Sequence, residues 1–177
     1  MENFNWNFEN NEVTWKNNDI EIKKTITNAY FASVLQEKNL VYVEAGENYS
    51  ANEIYYFHFD GKLALFLNKK NNSISWTYND KEMNESYCNL IDAGIYNDNT
   101  IVVISDENLF CYDINGDLLF KESSSNELKF IRLTSINNTP HVVCDCGEAN
   151  EDEYGRKCWN FEIDRDNCTL TKKNLAY

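Results

Sequence analysis

Four side chains in the C-terminal part of the chain are of the types that bind zinc. They are His141, Cys144, Cys146 and Cys158, and the first two cysteines share a face if they lie on one strand, because side chains alternate along it. Four such ligands could hold a zinc ion. A Cys-x-Cys spacing inside a strand is not that of a metal knuckle, and Cys111 shows that cysteine also occurs in other strand patterns. The spacing therefore favours buried free thiols, with a zinc site or a redox-active or disulfide pair as the alternatives.

Other patterns that could do chemistry have simpler structural interpretations. The segment from Asp113 to Asp117 begins like a calcium-binding loop, but no glutamate follows at the position that such a loop requires. His58 and His141 are the only two histidines, and each lies within a strand pattern. The chain has no glycine-rich phosphate loop, no nucleophile elbow and no helix with paired histidines. The sequence therefore predicts a protein without catalytic residues, metal or cofactor.

The charge balance argues against two broad classes of partner. The 177 residues contain 29 acidic and 16 basic side chains, which gives a formal net charge of -13. Nucleic acids and anionic membrane surfaces repel such a chain, so neither is expected to be a direct partner. No window approaches the roughly 18 apolar residues of a membrane span, and Met1 to Asn10 lacks the basic and apolar regions of an export signal. We expect a cytoplasmic protein whose six cysteines stay reduced.

Three segments repeat one pattern, in which an apolar run, a polar turn and a run rich in β-branched residues follow each other. Such a pattern is typical of β-hairpins. Each segment leads through a loop into a second hairpin, whose turn falls at Asp60-Gly61, at Asn115-Gly116 or near Asp166-Asn167. The first two dipeptides predict type I′ turns, because both central positions of such a turn need a positive φ. The repeated segments cover residues 31–43, 91–104 and 130–143.

A second correspondence links the first two copies of this pattern. Asn11 to Trp15 matches Asn72 to Trp76 at an offset of 61 residues, and Phe31 corresponds to Ile91 at an offset of 60. The third copy follows about 40 residues after the second, because it lacks the segment with the tryptophan. Four-stranded antiparallel units repeating at this spacing are typical of β-propeller blades.

The repeats predict a single all-β domain over residues 1–177. It contains about three four-stranded antiparallel blade-like units, at about 29–67, 90–121 and 128–173, after an N-terminal strand pair within residues 4–16. In the first of these repeats, 29–67, we expect strands near 29–35, 40–45, 53–59 and 62–67. Closed propellers typically have about four to eight blades, so this chain is predicted to form an open partial β-propeller. A β-sandwich or barrel is the alternative, because the same alternation would satisfy it.

Acidic residues concentrate in the loops that join the second and third strands of the units, which in a blade emerge on one face. Loops 44–53, 105–108 and 145–157 contain ten acidic residues against only Arg156 and Lys157. We interpret this face as a binding surface for a basic protein, with solubility alone as the alternative role of the charge. The candidate partner-binding residues combine acids with aromatic anchors: Glu44, Glu47, Tyr49, Glu53, Trp76, Tyr78, Asp106, Glu107, Glu148, Glu151, Asp152, Glu153 and Tyr154.

The chain resembles bacterial toxin-immunity proteins in its general character. It is small, acidic and rich in aromatic residues, and it combines the lack of an active-site motif with the blade-like segments Tyr55 to Leu63 and Leu109 to Leu118. Proteins of this kind protect bacteria in contact-dependent growth inhibition and polymorphic toxin systems. The resemblance implies a stoichiometric inhibitor that covers the active site of a basic toxin domain, often a nuclease. The alternative is a structural or assembly module that pairs its sheet edges with itself or with another chain.

Overall fold

The computed structural model of the protein describes residues 1–97 and 99–176. These residues form 17 β-strands, joined by turns and by three 3-10 helices of three residues each. The strands lie in four antiparallel sheets, and two of these are four-stranded meanders of the kind found in propeller blades. The predicted all-β fold with blade-like repeats is therefore confirmed. No helix in the described part of the chain is long and apolar enough to cross a membrane.

The chain divides into two compact units, Met1–Ser86 and Tyr87–Tyr177. The strands of the first unit are β1 (Glu2–Asn7), β2 (Glu12–Asn17), β3 (Ile20–Thr25), β4 (Ala29–Leu35), β5 (Leu40–Ala45), β6 (Glu53–His58), β7 (Leu63–Asn68), β8 (Ser73–Tyr78) and β9 (Lys81–Ser86). β1 to β3 form a three-stranded sheet, and β4 to β9 form a six-stranded sheet in chain order. β4 to β7 begin and end within one residue of their predicted bounds. The expectation of a single domain stays a prediction.

The structure extends the predicted strand pattern of the first unit in two places. The predicted N-terminal pair is present as β1 and β2, but β3 follows it as a third strand. β8 and β9 form a hairpin that pairs with β7, so the first meander becomes a six-stranded sheet. The sequence prediction missed β3 and β9 because their side chains are mostly polar and exposed, and so give no apolar run.

The two sheets of the first unit pack against each other through Trp15. This side chain is 1 % exposed, and its indole Nε1 donates a hydrogen bond to the backbone carbonyl of Phe59 over 2.8 Å. It shares a buried cluster with Val13 from β2 and with Val41 and Val43 from β5. Removing a buried tryptophan side chain typically costs about 3–5 kcal/mol. Trp15 is therefore a principal contact that holds the three-stranded sheet on the larger one.

The second unit contains two four-stranded meanders. Their strands are β10 (Leu90–Tyr96), β11 (Thr100–Ser105), β12 (Asn108–Asp113) and β13 (Leu118–Ser123) in one sheet, and β14 (Lys129–Ile136), β15 (Thr139–Asp145), β16 (Cys158–Asp164) and β17 (Thr169–Leu175) in the other. β11 is buried along its whole length. The inner side chains of both sheets meet in one core, which includes Val102, Ile104, Cys111, Val142 and Cys144.

β10 and β14 lie side by side and run in the same direction. The Leu133 N–H donates to the Asp92 carboxylate over 2.8 Å, and the Asn138 side-chain amide donates to Asn97 Oδ1 over 2.7 Å. Both pairs are separated by 41 residues in the sequence, as expected for parallel neighbours. Because each meander is antiparallel, β11 and β15 both run the opposite way and end at the same end of the second unit.

The internal repeat comprises more strands than the sequence pattern indicated. β1 to β4 correspond to β7 to β10 residue for residue at an offset of 61, from Glu2 with Leu63 to Leu35 with Tyr96. One repeat is therefore a hairpin followed by a four-stranded meander. The last meander, β14 to β17, has no such hairpin before it, as the sequence predicted.

Asparagine supplies many of the left-handed turn positions between the strands. Among the described residues, sixteen residues other than glycine have a positive φ, and eleven of them are asparagines. The Asn79-Asp80 turn between β8 and β9 has positive φ at both positions, as a type I′ turn requires. Asparagine tolerates this conformation better than other residues because its short side chain bonds to the local backbone.

The two predicted glycine turns are of a different type from the one expected. Gly61 has a φ of 85°, but Asp60 is not in the left-handed region. The Gly61 N–H donates to the His58 carbonyl over 2.8 Å, and the His58 N–H donates to the Lys62 carbonyl over 2.9 Å. This is a type I turn followed by a bulge at glycine, which matches the twist of the strands equally well. Gly116 closes the β12–β13 turn in the same way.

Replacing Gly61 with alanine should destabilise the first unit. The left-handed backbone alone costs about 1–2 kcal/mol for a residue with a Cβ, and here the new Cβ would lie 2.9 Å from Ile22 Cγ2 on β3. We expect a lower midpoint in urea unfolding for Gly61→Ala. In an Ile22→Ala background the same change should cost about 1 kcal/mol less, because the steric conflict is gone. Equal losses in both backgrounds would contradict the close approach of β3 to this turn.

Candidate binding site on two acidic loops

The side chains that could do chemistry lie inside the sheets. His141 is buried on β15, with Nδ1 2.9 Å from the Thr139 carbonyl oxygen. Burial raises the pKa of the Cys144 thiol to about 12 and also raises that of Cys146. Among the described residues, no three His, Cys, Asp or Glu side chains converge to hold a metal ion.

The first acidic loop, residues 44–53, leaves β5 through Gly46 and a 3-10 turn at Glu47–Tyr49. The Gly46 N–H donates to the Asn28 carbonyl over 3.0 Å. A Cβ at Gly46 would lie only 1.9 Å from the Ser50 carbonyl oxygen, so only glycine allows the chain to turn this closely. The loop is thus fixed at its start by backbone packing.

Two of the predicted acids in the first acidic loop accept hydrogen bonds from tyrosines. The Glu44 carboxylate accepts from the hydroxyls of Tyr30, over 2.7 Å, and of Tyr42. Burial, and then the hydrogen bond to Glu44, raise the pKa of Tyr30 to about 12, so its hydroxyl stays a donor at neutral pH. Glu53 accepts from the Tyr55 hydroxyl over 3.0 Å. Glu44 therefore joins β4 to the end of β5, where the loop begins, and Glu53 bonds within β6, where the loop ends.

Tyr49 is presented at the tip of the first acidic loop. Its side chain is 73 % exposed, and its φ of 58° is a left-handed value that is rare for an aromatic residue. Such a conformation costs of order 1–3 kcal/mol, and residues held this way cluster at functional sites. The Tyr30 ring meets the Tyr49 ring edge-on with 5.8 Å between centroids. Both line a cleft of about 620 Å³, together with the turn after β1.

The second acidic loop, residues 145–157, is organised around the Asp152 carboxylate. Oδ1 accepts the backbone N–H groups of Tyr154 and Arg156, each over 2.9 Å. Oδ2 accepts Arg156 Nε over 2.7 Å. The hydrogen bonds to Arg156 and to these backbone groups hold the pKa of Asp152 below its usual range. The Arg156 guanidinium in turn lies over the Tyr154 ring, with 5.0 Å from Cζ to the centroid.

The remaining charges of the second acidic loop are divided between paired and exposed groups. Asp145 accepts the Gly147 N–H over 2.9 Å and lies 3.5 Å from Lys157 Nζ. The hydrogen bond from Gly147, and then the nearby lysine, lower the pKa of Asp145. The two basic residues of the loop thus face its two aspartates. Tyr154 is 73 % exposed. The three glutamates of the loop, Glu148, Glu151 and Glu153, are exposed as well.

The third predicted loop is a tight turn. Asp106 and Glu107 alone separate β11 from β12, and both are exposed. Since β11 and β15 end at the same end of the second unit, this turn and the second acidic loop emerge together there. The structure therefore places Asp106, Glu107 and the predicted acids of the second acidic loop at the same end of the compact unit Tyr87–Tyr177. The prediction that all three loops share a face stays a prediction.

One of the two aromatic anchors predicted outside the loops is wrong. Trp76 on β8 is 1 % exposed, so its ring is not available to a partner. The residue follows buried Ile74 and Ser75 along β8, and its position corresponds to that of Trp15, which is also buried. Tyr78 ends the same strand and is partly exposed. The prediction failed because sequence alone does not show which face of a strand is covered.

Sequence reasoning also missed a signal shared by the two acidic loops. In each, a glycine and a glutamate follow the strand end and open a 3-10 turn, at Gly46-Glu47 and at Gly147-Glu148. Comparing the loops with each other would have revealed this pair. The aromatic residues of the cleft that lie far from the loop in sequence, Phe8 and Tyr30, carried no local signal.

Comparison with known proteins shows structural similarity without sequence similarity. No family model matches the sequence, and no curated protein sequence is similar to it. Catalytically inactive virginiamycin B lyase from Staphylococcus aureus with quinupristin is 11 % identical, and the match covers 94 % of this chain and 64 % of that chain with a TM-score of 0.46. The selenomethionine-substituted lyase is 10 % identical, and the match covers 96 % of this chain and 65 % of that chain with a TM-score of 0.49. This chain thus spans just under two thirds of the lyase length.

The β-propeller domain of Cps50 (Swd1) from Myceliophteria thermophila is 6 % identical. The match covers 97 % of this chain and 69 % of that domain, with a TM-score of 0.49. The assignment of blade-like repeats follows from the chain's own sheets.

Replacing Asp152 should release the second acidic loop. In Asp152→Ala the Arg156 guanidinium and two backbone N–H groups lose their acceptor, so trypsin should cleave after Arg156 several-fold faster. Glu153→Gln, next in the chain and without a comparable contact, is the matched control and should cleave like the wild type. In the wild type the Arg156 Nε–H signal in NMR should persist at neutral pH. Its chemical shift should move toward that of a free arginine as the pH falls through the lowered pKa of Asp152, because that carboxylate then becomes protonated and no longer accepts the hydrogen bond in the same way.

Cleavage rates that are equal in Asp152→Ala and the wild type would show that the carboxylate does not organise the loop. An Arg156 Nε–H chemical shift that stays unchanged between neutral pH and strong acid would lead to the same conclusion.

Proposed function

We propose that this chain is a non-catalytic, cytoplasmic binding protein that neutralises a basic toxin domain, in the manner of a bacterial immunity protein. The observation that carries the proposal is the construction of the two acidic loops. Each presents a tyrosine that is 73 % exposed beside exposed glutamates, and each is fixed at its base by hydrogen bonds. A site that is held rigidly before binding loses less entropy when the partner docks.

The residue types of the loops suit a basic protein surface. Exposed carboxylates of one sign speed and orient the approach of a positively charged partner. Exposed aromatic rings then supply the contact area that gives such interfaces most of their affinity. A nuclease active site binds phosphates through basic side chains, so glutamates can occupy the positions that the phosphates would take. A basic nuclease domain therefore fits the proposal well.

One observation favours the alternative of a structural or assembly module. β7 corresponds to β1 in the 61-residue repeat and pairs with a strand on each side. Within the described part of the chain, β1 pairs with β2 alone. A strand from another molecule could therefore add to the free edge of β1 by backbone hydrogen bonding.

The function is tested by growth rescue. The chain is expressed together with the toxin-like domain encoded by the adjoining reading frame, and we expect it to restore growth and to bind that domain one to one. Absence of a toxin-like neighbour, or of rescue by the soluble, folded chain, would overturn the proposal.

Charge reversal in the second unit should then slow association with the toxin domain. The double variant Glu151→Lys and Glu153→Lys changes the charge of the second acidic loop by four units. The matched control, Asp117→Lys and Asp166→Lys, makes the same change at exposed turns beyond β12 and β16. Steering depends on charge near the docking site, so we expect a lower association rate for the loop variant than for the control, by stopped-flow fluorescence.

Salt provides the second readout of the same experiment. The wild-type association rate should fall between about 0.01 and 0.1 M salt, as the Debye length shrinks from roughly 30 to 10 Å. Equal rates for the two double variants would remove the loop from the interface. The assembly alternative predicts little salt dependence and little effect of either reversal.

A further inference from the structure

The second acidic loop shows within the protein which group its tyrosine and carboxylate hold. The Arg156 guanidinium lies over the Tyr154 ring at 5.0 Å from the centroid. The same group donates to Asp152 Oδ2 through Nε over 2.7 Å, and its Nη2 lies 2.6 Å from that oxygen. An aromatic face and a carboxylate thus hold one arginine between them.

The first acidic loop offers the same two kinds of group without an arginine of its own. Tyr49 is 73 % exposed and lines the cleft with Phe8, which is 54 % exposed, and with Tyr30. Glu9 and Glu47 add two exposed carboxylates to the lining. The other described residues that line the cleft are asparagines, an alanine and a glycine, so none of the lining residues is a lysine or arginine. The negative charge of the cleft is therefore not balanced from within its lining.

We propose that this cleft accepts one arginine side chain of the basic partner, an inference that rests on the proposed function. A guanidinium is planar and weakly hydrated, so it stacks on an aromatic ring more readily than an ammonium group does. It can also donate two hydrogen bonds to one carboxylate. The ring of Tyr49 provides the stacking surface, Phe8 flanks it, and Glu47 provides the acceptor. The volume of about 620 Å³ is ample for one such side chain.

Tyr30 is a positioning residue in this arrangement. Its hydroxyl already donates to Glu44 over 2.7 Å, so it is occupied by the loop base. Its ring supports the Tyr49 ring edge-on at 5.8 Å between centroids. The arginine therefore meets a tyrosine whose orientation is set before binding, and less conformational entropy is lost on docking.

The first experiment uses a small probe and needs no partner. The full chain is titrated by NMR with N-acetyl-arginine amide and with N-acetyl-citrulline amide, whose side chain has the same shape but no charge. The arginine compound should shift the Tyr49 and Phe8 ring signals saturably, and the citrulline compound should not. Tyr49→Ala should weaken arginine binding by about fivefold, the scale of an exposed cation–π contact. The matched control Tyr154→Ala, equally exposed in the wild type, should change it by less than about twofold.

Equal binding of the two compounds, no binding of the arginine compound, or equal effects of the two tyrosine variants would overturn the inference. A folding defect is separated from a binding defect by the signals of Trp15, which should be unchanged in Tyr49→Ala.

The second experiment separates this inference from the function on which it rests. With the toxin domain as ligand, Tyr49→Ala should weaken binding by roughly thirtyfold, the scale of an interface hot spot, while Tyr154→Ala has a smaller effect. If the toxin domain binds and Tyr49→Ala leaves its affinity unchanged, the arginine inference is overturned and the proposed function stands. If the wild type does not bind the toxin domain, the proposed function fails, whatever the arginine titration shows.

Discussion

Every sheet of this protein depends on short turns that reverse the backbone in a left-handed conformation. Side chains with a Cβ resist that conformation, and asparagine resists it least after glycine. Of the sixteen described residues other than glycine with a positive φ, eleven are asparagines. Short turns force each strand to pair with its neighbour in the sequence, and the four sheets accordingly follow chain order. The abundance of asparagine, 28 residues in all, therefore has a structural role in this fold.

Longer connections stand out against this background of tight turns. The loops at 46–52 and 146–157 join β5 to β6 and β15 to β16, whereas two residues are enough between β11 and β12. A long loop costs conformational entropy, and in a domain of short turns it usually has a function of its own. Both long loops begin with a glycine and a glutamate in a 3-10 turn, and both expose a tyrosine. The candidate binding site thus lies in the two connections that are longer than the tight turns found between most strands.

The two acidic loops differ in how their charge is balanced. In the second, Asp152 and Asp145 face the loop's own arginine and lysine, so part of its negative charge is neutralised locally. In the first, Glu44 and Glu53 accept hydrogen bonds from neutral tyrosines, which orient the carboxylates without removing their charge. Both loops keep a net charge of -3, which in the second loop corresponds to its three exposed glutamates and in the first to Glu44, Glu47 and Glu53. Counting charges in the sequence gives both loops the same character, and only the contacts separate them.

The sequence by itself determined most of the strands, the meanders and the acidic loops, because hairpins are encoded by local alternation and by turn residues, but not the polar strands β3 and β9. β4 to β7 were predicted to within one residue for this reason. The structure alone decided which side chains are covered and which charges are paired. From the sequence Trp76 was predicted to be an exposed anchor, but it is buried. Asp152 was predicted to be available to a partner, but its carboxylate accepts a hydrogen bond from Arg156. Burial depends on residues distant in the chain, which approach each other only when the sheets pack. The pairing of Asp152 with Arg156, four residues further on, depends on how the loop between them folds. The cleft beside Tyr49 also arises from packing between distant residues, since Phe8 reaches it from the turn after β1.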